Sequence, residues 1–120
     1  MSCAPEPLTV RPSAPDSVDR AEVVALDRSG AVVGRATLSR LYGSRGELAF
    51  DLAPTTSVAL ALVDAIEREA RTRGLARLEL EATAASERVL AALRRWRSVS
   101  DERRGPRPYL TWPTTPLVNS

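Results

Sequence analysis

The sequence predicts an α/β domain: a mixed, mostly antiparallel sheet with two helices. Three observations carry that expectation. Residues 48–80 run as an alternating strand, a short polar turn, a long amphipathic helix and a second alternating strand. That order joins two parallel strands by a right-handed crossover. Ahead of it, three alternating segments separated by Gly-containing turns make an antiparallel meander. Behind it, a second amphipathic helix leads into two short segments around Arg104-Gly105-Pro106, which close as a hairpin.

In chain order, residues 1–7 are Pro-rich and expected to be disordered, and Leu8-Thr9-Val10-Arg11 is a short first strand ended by Pro12. Residues 13–20 are polar and linker-like. The second strand is 22–27, and Arg28-Ser29-Gly30 turns it into a third over 31–40. There Val32, Gly34, Ala36 and Leu38 share one face and Arg35, Thr37 and Ser39 the other. After a turn at 42–46, the fourth strand, 47–52, sets Leu48, Phe50 and Leu52 against Glu47 and Asp51. The helix at 57–73 buries Ala59, Leu62, Val63, Ile66 and Ala70 and turns Asp64, Glu67, Arg68 and Arg71 outward. Asp64 with Arg68 and Glu67 with Arg71 have the spacing of acid-before-base pairs, and Gly74 ends the helix.

Residues 75–83 return to period two, with Leu78, Leu80 and Ala82 against Arg77, Glu79 and Glu81, the two glutamates pairing with Arg77 or nearby arginines. Ser86 caps the second helix, 87–97, whose inward stripe is Val89, Leu90, Leu93 and Trp96. The hairpin joins 98–103 to 107–112. The chain divides into an arm at 1–20, a domain at 21–113 and a disordered tail at 114–120.

With 120 residues, 43% of them apolar, the chain can build one core, and at 4% aromatic content that core is made of Leu, Val, Ile and Ala. All 17 basic residues are Arg, the formal net charge is +2, and there is no histidine. Activation of a nucleophile by histidine and His-ligated metal sites are therefore excluded, and no metal is expected. The single cysteine, Cys3, can form no intramolecular disulfide. The longest apolar run, 58–63, is far short of the roughly 20 residues of a spanning helix, and no targeting pattern opens the chain, so a soluble cytoplasmic protein without membrane contact is expected. Seven arginines (88, 94, 95, 97, 103, 104 and 107) face only Glu87, Asp101 and Glu102 in the same stretch. They read as a solvated face; aromatic residues do not alternate with them, so nucleic acid is not an expected partner.

The turn Pro54-Thr55-Thr56-Ser57 stands where the first helix begins. Its free backbone N–H groups and the positive end of the helix dipole converge on one spot, which makes it an anion site by geometry. Simple helix capping by Thr or Ser is the other role open to the same residues.

The element order, together with Glu47-Leu48-Ala49-Phe50-Asp51-Leu52 in the fourth strand and Glu69-Ala70-Arg71-Thr72-Arg73-Gly74-Leu75 entering the fifth, resembles the acyl-CoA N-acyltransferases of the GNAT superfamily, and its bacterial members most. The resemblance covers about 21–112. It implies a GNAT-like fold lacking the first two helices, since only 13–20 stands where the family inserts them. It implies acetyl-CoA or another acyl-CoA as the bound group, and a small-molecule or protein amine as acceptor. In the family the turn into the crossover helix reads Gln or Arg, two variable residues, Gly, one variable residue, then Gly or Ala, and its amides hold the CoA pyrophosphate. Here that motif falls on Pro54 to Ala59 and only Ala59 agrees. The candidate cofactor-binding residues are Thr55, Thr56, Ser57, Val58 and Ala59, with Ser86 where the family has Asn at the start of the second helix. Glu47 and Asp51 are the candidate general bases. The family's Tyr that protonates the departing thiolate is matched by Leu93. Two functions follow as alternatives: an N-acetyltransferase, or a non-catalytic descendant acting as a CoA-ligand sensor or protein-interaction module. Without the two helices one sheet face is expected to be open and apolar, and to be covered by a second copy or a partner protein.

Overall fold

Strand-forming segments at both ends enclose a β-α-β unit in the computed structural model, which describes residues 9–12 and 20–114. The Pro-rich start with Cys3 and Leu8, the connection at 13–19 and the tail from 115 lie outside the described residues. Strands β1 (Thr9–Pro12), β2 (Arg20–Leu26), β3 (Val32–Tyr42) and β4 (Arg45–Leu52) come first. They are followed by α1 (Thr56–Thr72), β5 (Arg77–Glu81), a 3-10 turn at Ala82–Ala84, α2 (Glu87–Trp96), β6 (Ser100–Arg104) and β7 (Arg107–Pro113). All seven strands form one sheet, in the order β1-β2-β3-β4-β5-β7-β6. Among the described strands only β4 and β5 run parallel to each other. This is the mixed, mostly antiparallel sheet with two helices that the sequence predicts.

Local chemistry fixes the connections. The Asp27 carboxylate accepts from the Ser29 N–H (2.8 Å), the Ser29 hydroxyl (2.6 Å) and the Ala31 N–H (3.0 Å), and Gly30 takes φ +88° to close the β2–β3 hairpin. The end of α1 is a Schellman closure, in which Gly74 at φ +75° lets the Leu75 N–H reach the Ala70 carbonyl at 2.8 Å. Ser86 Oγ caps α2 by accepting from the Val89 N–H at 3.2 Å.

Both helices pack on one face of the sheet. Val23, Ala25, Ala36, Leu38 and Leu48 from β2–β4, Leu62, Val63 and Ile66 from α1, Val89 and Leu93 from α2, and Leu78, Leu80, Leu110 and Trp112 form a single apolar cluster. Gly34 permits the closest approach: a Cβ there would collide with Val58 and lie 3.1 Å from Leu62.

Several boundaries and environments differ from the sequence reading. The β3–β4 turn is only Gly43 and Ser44, because pairing continues to the ends of both strands. The fifth strand stops at Glu81, where the 3-10 turn begins. Trp96, expected in the core, is 55% exposed, because α2 ends at that residue and Arg97 takes the position against α1. Glu67 is buried and does not pair with Arg71; Arg97 reaches it and Asp64 from the end of α2, displacing both expected helix-surface pairs. Among the described residues no helix covers the other face of the sheet, and that face is not apolar. It carries Glu22, Arg35, Thr37, Glu47, Glu79 and Thr111, with Val24, Leu26, Ala49 and Tyr109 as its apolar and aromatic members.

Candidate functional site at the parting of β4 and β5

The parallel pair is short. Arg45, Gly46 and Glu47 pair with Arg77, Leu78 and Glu79, after which β4 continues on β3 alone and β5 on β7 alone. A wedge therefore opens between the two strands beyond Glu47, in the direction in which β4 runs toward α1. A bulge bends β4 near its end: Leu52 pairs with Arg35 and Phe50 with Ala36, leaving Asp51 as the extra residue. This parting and this bulge were invisible to the sequence reading, since a period-two pattern records faces and not which edge is paired.

The start of α1 lies at the open end of the wedge. Thr55 is the N-cap, its Oγ1 accepting from the Val58 N–H at 3.1 Å while its carbonyl accepts from Ala59 at 3.0 Å. Of the five residues proposed there, Val58 and Ala59 turn their side chains into the core, and Thr55 spends its hydroxyl on the cap. The N–H groups of Thr56 and Ser57 have no partner among the described residues, and both residues are exposed. Arg88 adds charge here: its Nη1 donates to the Pro54 carbonyl and ties the starts of the two helices together. The sequence held a signal for it, because a cation in the first turn of a helix opposes the dipole and calls for a partner elsewhere. Ser86 is joined to this region only through the cap it makes for α2.

Glu47 stands at the apex of the wedge, half-buried, and Asp51 is exposed at the bulge. They stand four positions apart along the strand, about 13 Å, so they cannot act on one atom together. Behind Glu47, the 1%-exposed Glu79 accepts from Arg45 Nε (3.1 Å) and from Arg104 Nη2 (2.7 Å), rather than from Arg77. Burial pushes the Glu79 carboxyl above its usual range and the Arg45 guanidinium opposes the shift. Leu93 is 1% exposed in the core and brings no hydroxyl toward the wedge. Tyr109 sits on β7 opposite Glu81, under the Arg104 guanidinium at 4.7 Å. Among the described residues no group of His, Cys, Asp or Glu could hold a metal ion, and no helix is long and apolar enough to cross a membrane.

No family model and no curated protein matches the chain. Solved structures do. A Klebsiella pneumoniae protein provisionally named an acyl-CoA N-acyltransferase superposes with a TM-score of 0.71 at 15% identity, over 90% of this chain and 98% of its own. The GNAT domain of an S. lividans protein gives a TM-score of 0.67 at 22% identity, over 80% of this chain and 61% of that one. A Sinorhizobium meliloti phosphinothricin acetyltransferase of the GNAT superfamily, solved with acetyl-CoA, gives 0.64 at 19% identity, over 78% and 60%. This chain thus spans nearly all of the first and about three-fifths of the other two. With its strand order, its parallel β4–β5 pair and these superpositions, the chain has the GNAT fold of the acyl-CoA N-acyltransferases.

Proposed function

We propose that this domain binds an acyl-CoA in the wedge between β4 and β5 and passes the acyl group to an amine. The observation that carries the reading is the parting of the parallel β4–β5 pair after Glu47 and Glu79, with the amides of Thr56 and Ser57, which have no partner among the described residues, at its open end. The residues fit a pyrophosphate: two backbone donors, the Thr56 and Ser57 hydroxyls, the helix dipole and the charge of Arg88 converge there. The Ser57 side chain, where the family has Gly, keeps an anion farther from the backbone and lowers affinity.

The bound thioester would supply an activated carbonyl. Glu47 is the better base for the proton that an ammonium must lose before it can attack, because it stands at the apex of the wedge. Asp51, exposed at the bulge, is the second candidate. Leu93 leaves the reaction without an acid, but a thiolate of pKa near 8.5 can depart unprotonated, so turnover is expected to be slow. That same buried Leu93 favours a second reading, a domain that binds a CoA ligand or a protein without catalysis. In either case the polar open face of the sheet is the proposed contact for a second copy or a partner protein.

Calorimetric titration with acetyl-CoA tests the site. The wild type is expected to bind, and Ser57→Glu to weaken binding at least tenfold by placing a carboxylate against the pyrophosphate, with an unchanged far-UV spectrum. Equal affinity in the two proteins would remove the ligand from this turn.

A further inference from the structure

The far ends of the two helices form a second polar site. Arg68 lies twelve residues along α1 from Thr56, about 18 Å away at 1.5 Å per residue. Here a cleft of about 560 Å³ opens between the second half of α1, the end of α2 and the end of β7. Two carboxylates in its wall, Asp64 and Glu67, are both engaged by Arg97, and Glu67 also accepts from Trp112 Nε1 at 2.8 Å.

Three other guanidiniums in the cleft meet no carboxylate among the described residues. Arg71 donates to the neutral carbonyl of Thr114 at 2.6 Å, Arg95 lies over the Trp96 ring at 5.4 Å, and Arg68 is exposed without an ion pair. Trp96 itself is 55% exposed at the same cleft. Uncompensated guanidiniums bind phosphate or carboxylate through paired, charge-assisted hydrogen bonds, and an exposed indole offers a flat apolar surface for stacking. The cleft volume falls within the roughly 300–1,000 Å³ of small-molecule sites.

We propose that this cleft binds an organic anion carrying a flat ring, its phosphate or carboxylate held by Arg68, Arg71 and Arg95 and its ring laid on Trp96. The site is independent of the wedge and of any acyl-CoA bound there.

The test titrates AMP and 1-naphthoate separately into the full chain, followed by calorimetry and tryptophan fluorescence; the two arms distinguish a phosphate source from a carboxylate source. Saturable binding of at least one probe is expected, with adenosine, inorganic phosphate and neutral 1-naphthamide each at least tenfold weaker. Arg68→Glu and Trp96→Ala, both at exposed positions, should each weaken the bound probe tenfold or more while leaving the acetyl-CoA titration as it was. Ser57→Glu should leave the probe's affinity unchanged. No saturable binding of either probe, undiminished binding in Arg68→Glu, or loss of binding in Ser57→Glu would overturn the proposal.

Discussion

Glu67 stands four residues before Arg71 on a helix, a spacing that predicts a solvent-side ion pair, yet it is 7% exposed. It accepts from Arg97 Nε at 2.8 Å, Arg97 Nη2 at 3.0 Å and Trp112 Nε1 at 2.8 Å. The hydrogen bond to Glu67 is the leading reason that the Arg97 guanidinium titrates above its ordinary value. A buried carboxylate so satisfied costs little while intact and much when a donor is removed. Trp112→Phe is therefore expected to lower the unfolding free energy by about 1.5–3 kcal/mol. Arg97→Ala should cost about 2–4 kcal/mol, at the lower end because its side chain is 23% exposed. Urea melts measure both, and losses below about 0.5 kcal/mol in the two variants would mean that water already solvates Glu67. The two candidate bases also belong to this scale. Since Glu47 and Asp51 stand about 13 Å apart, only one could serve as the proposed base, and on that reading Glu47→Gln should slow thioester consumption by about 10²-fold, with little change in Asp51→Asn. Consumption on an amine panel that is fast and survives both substitutions would dismiss either carboxylate as the base.

At the scale of elements, the position of α1 rests on Gly34. In the sequence that glycine is one member of an alternating face, and nothing near it announces that a helix beginning more than twenty residues later must touch its Cα. The physical requirement is close approach: a Cβ would collide with Val58, a β-branched side chain with one strongly preferred rotamer in a helix. Gly34→Ala is expected to destabilise the fold by about 1–3 kcal/mol through overpacking. Because Val58 belongs to the first turn of α1, the strain falls on the turn that presents the Thr56 and Ser57 amides, so acetyl-CoA affinity should fall as well. Adding Val58→Ala should restore part of both, as read by melting temperature and calorimetry. A destabilised Gly34→Ala with full affinity would mean that sheet and helix start are not coupled. The wedge, too, belongs to elements: the alternation of 47–52 and of 77–81 correctly predicts two strands, but how many of their residues pair depends on the relative twist and bend of the strands in the assembled sheet.

For the whole molecule, charge is distributed by the fold. The arginine-rich stretch at 88–107 reads as one cationic block, yet its members disperse: Arg94 to Asp101, Arg97 to Asp64 and Glu67, Arg104 to Glu79 and Glu102, Arg107 to Glu81. The uncovered face of the sheet is likewise built from ion pairs and hydroxyls, with Arg35 near Glu22 at 3.9 Å and Arg77 donating to Thr111 at 3.0 Å. Such a face offers little apolar area to bury, so the proposed contact with a second copy is expected to rest on charge. Sedimentation at 50 mM salt is expected to show self-association that weakens at least tenfold at 500 mM, where the Debye length is only a few ångströms. Association that ignores salt would move the contact to an apolar surface elsewhere.

Element type and order followed from the sequence alone, because periods of two and 3.6, Gly at positive φ and Thr or Ser at helix starts are local requirements that a chain states in its own text. Ser86 and Gly74 were legible as helix-end residues for that reason, and Leu93 as part of the inward stripe of the second helix; a Thr or Ser cap was legible at the turn into the first helix, but not that Thr55 makes it. What stayed hidden was decided between residues far apart in sequence: the three-residue parallel pairing that opens the wedge, Arg88 on the Pro54 carbonyl, Arg97 burying Glu67, and Arg45 with Arg104 around Glu79. Trp96 belongs with them. Its spacing continues an apolar stripe, but whether the last turn of a helix meets a partner depends on where that helix ends over the sheet, and only the packed tertiary structure determines that.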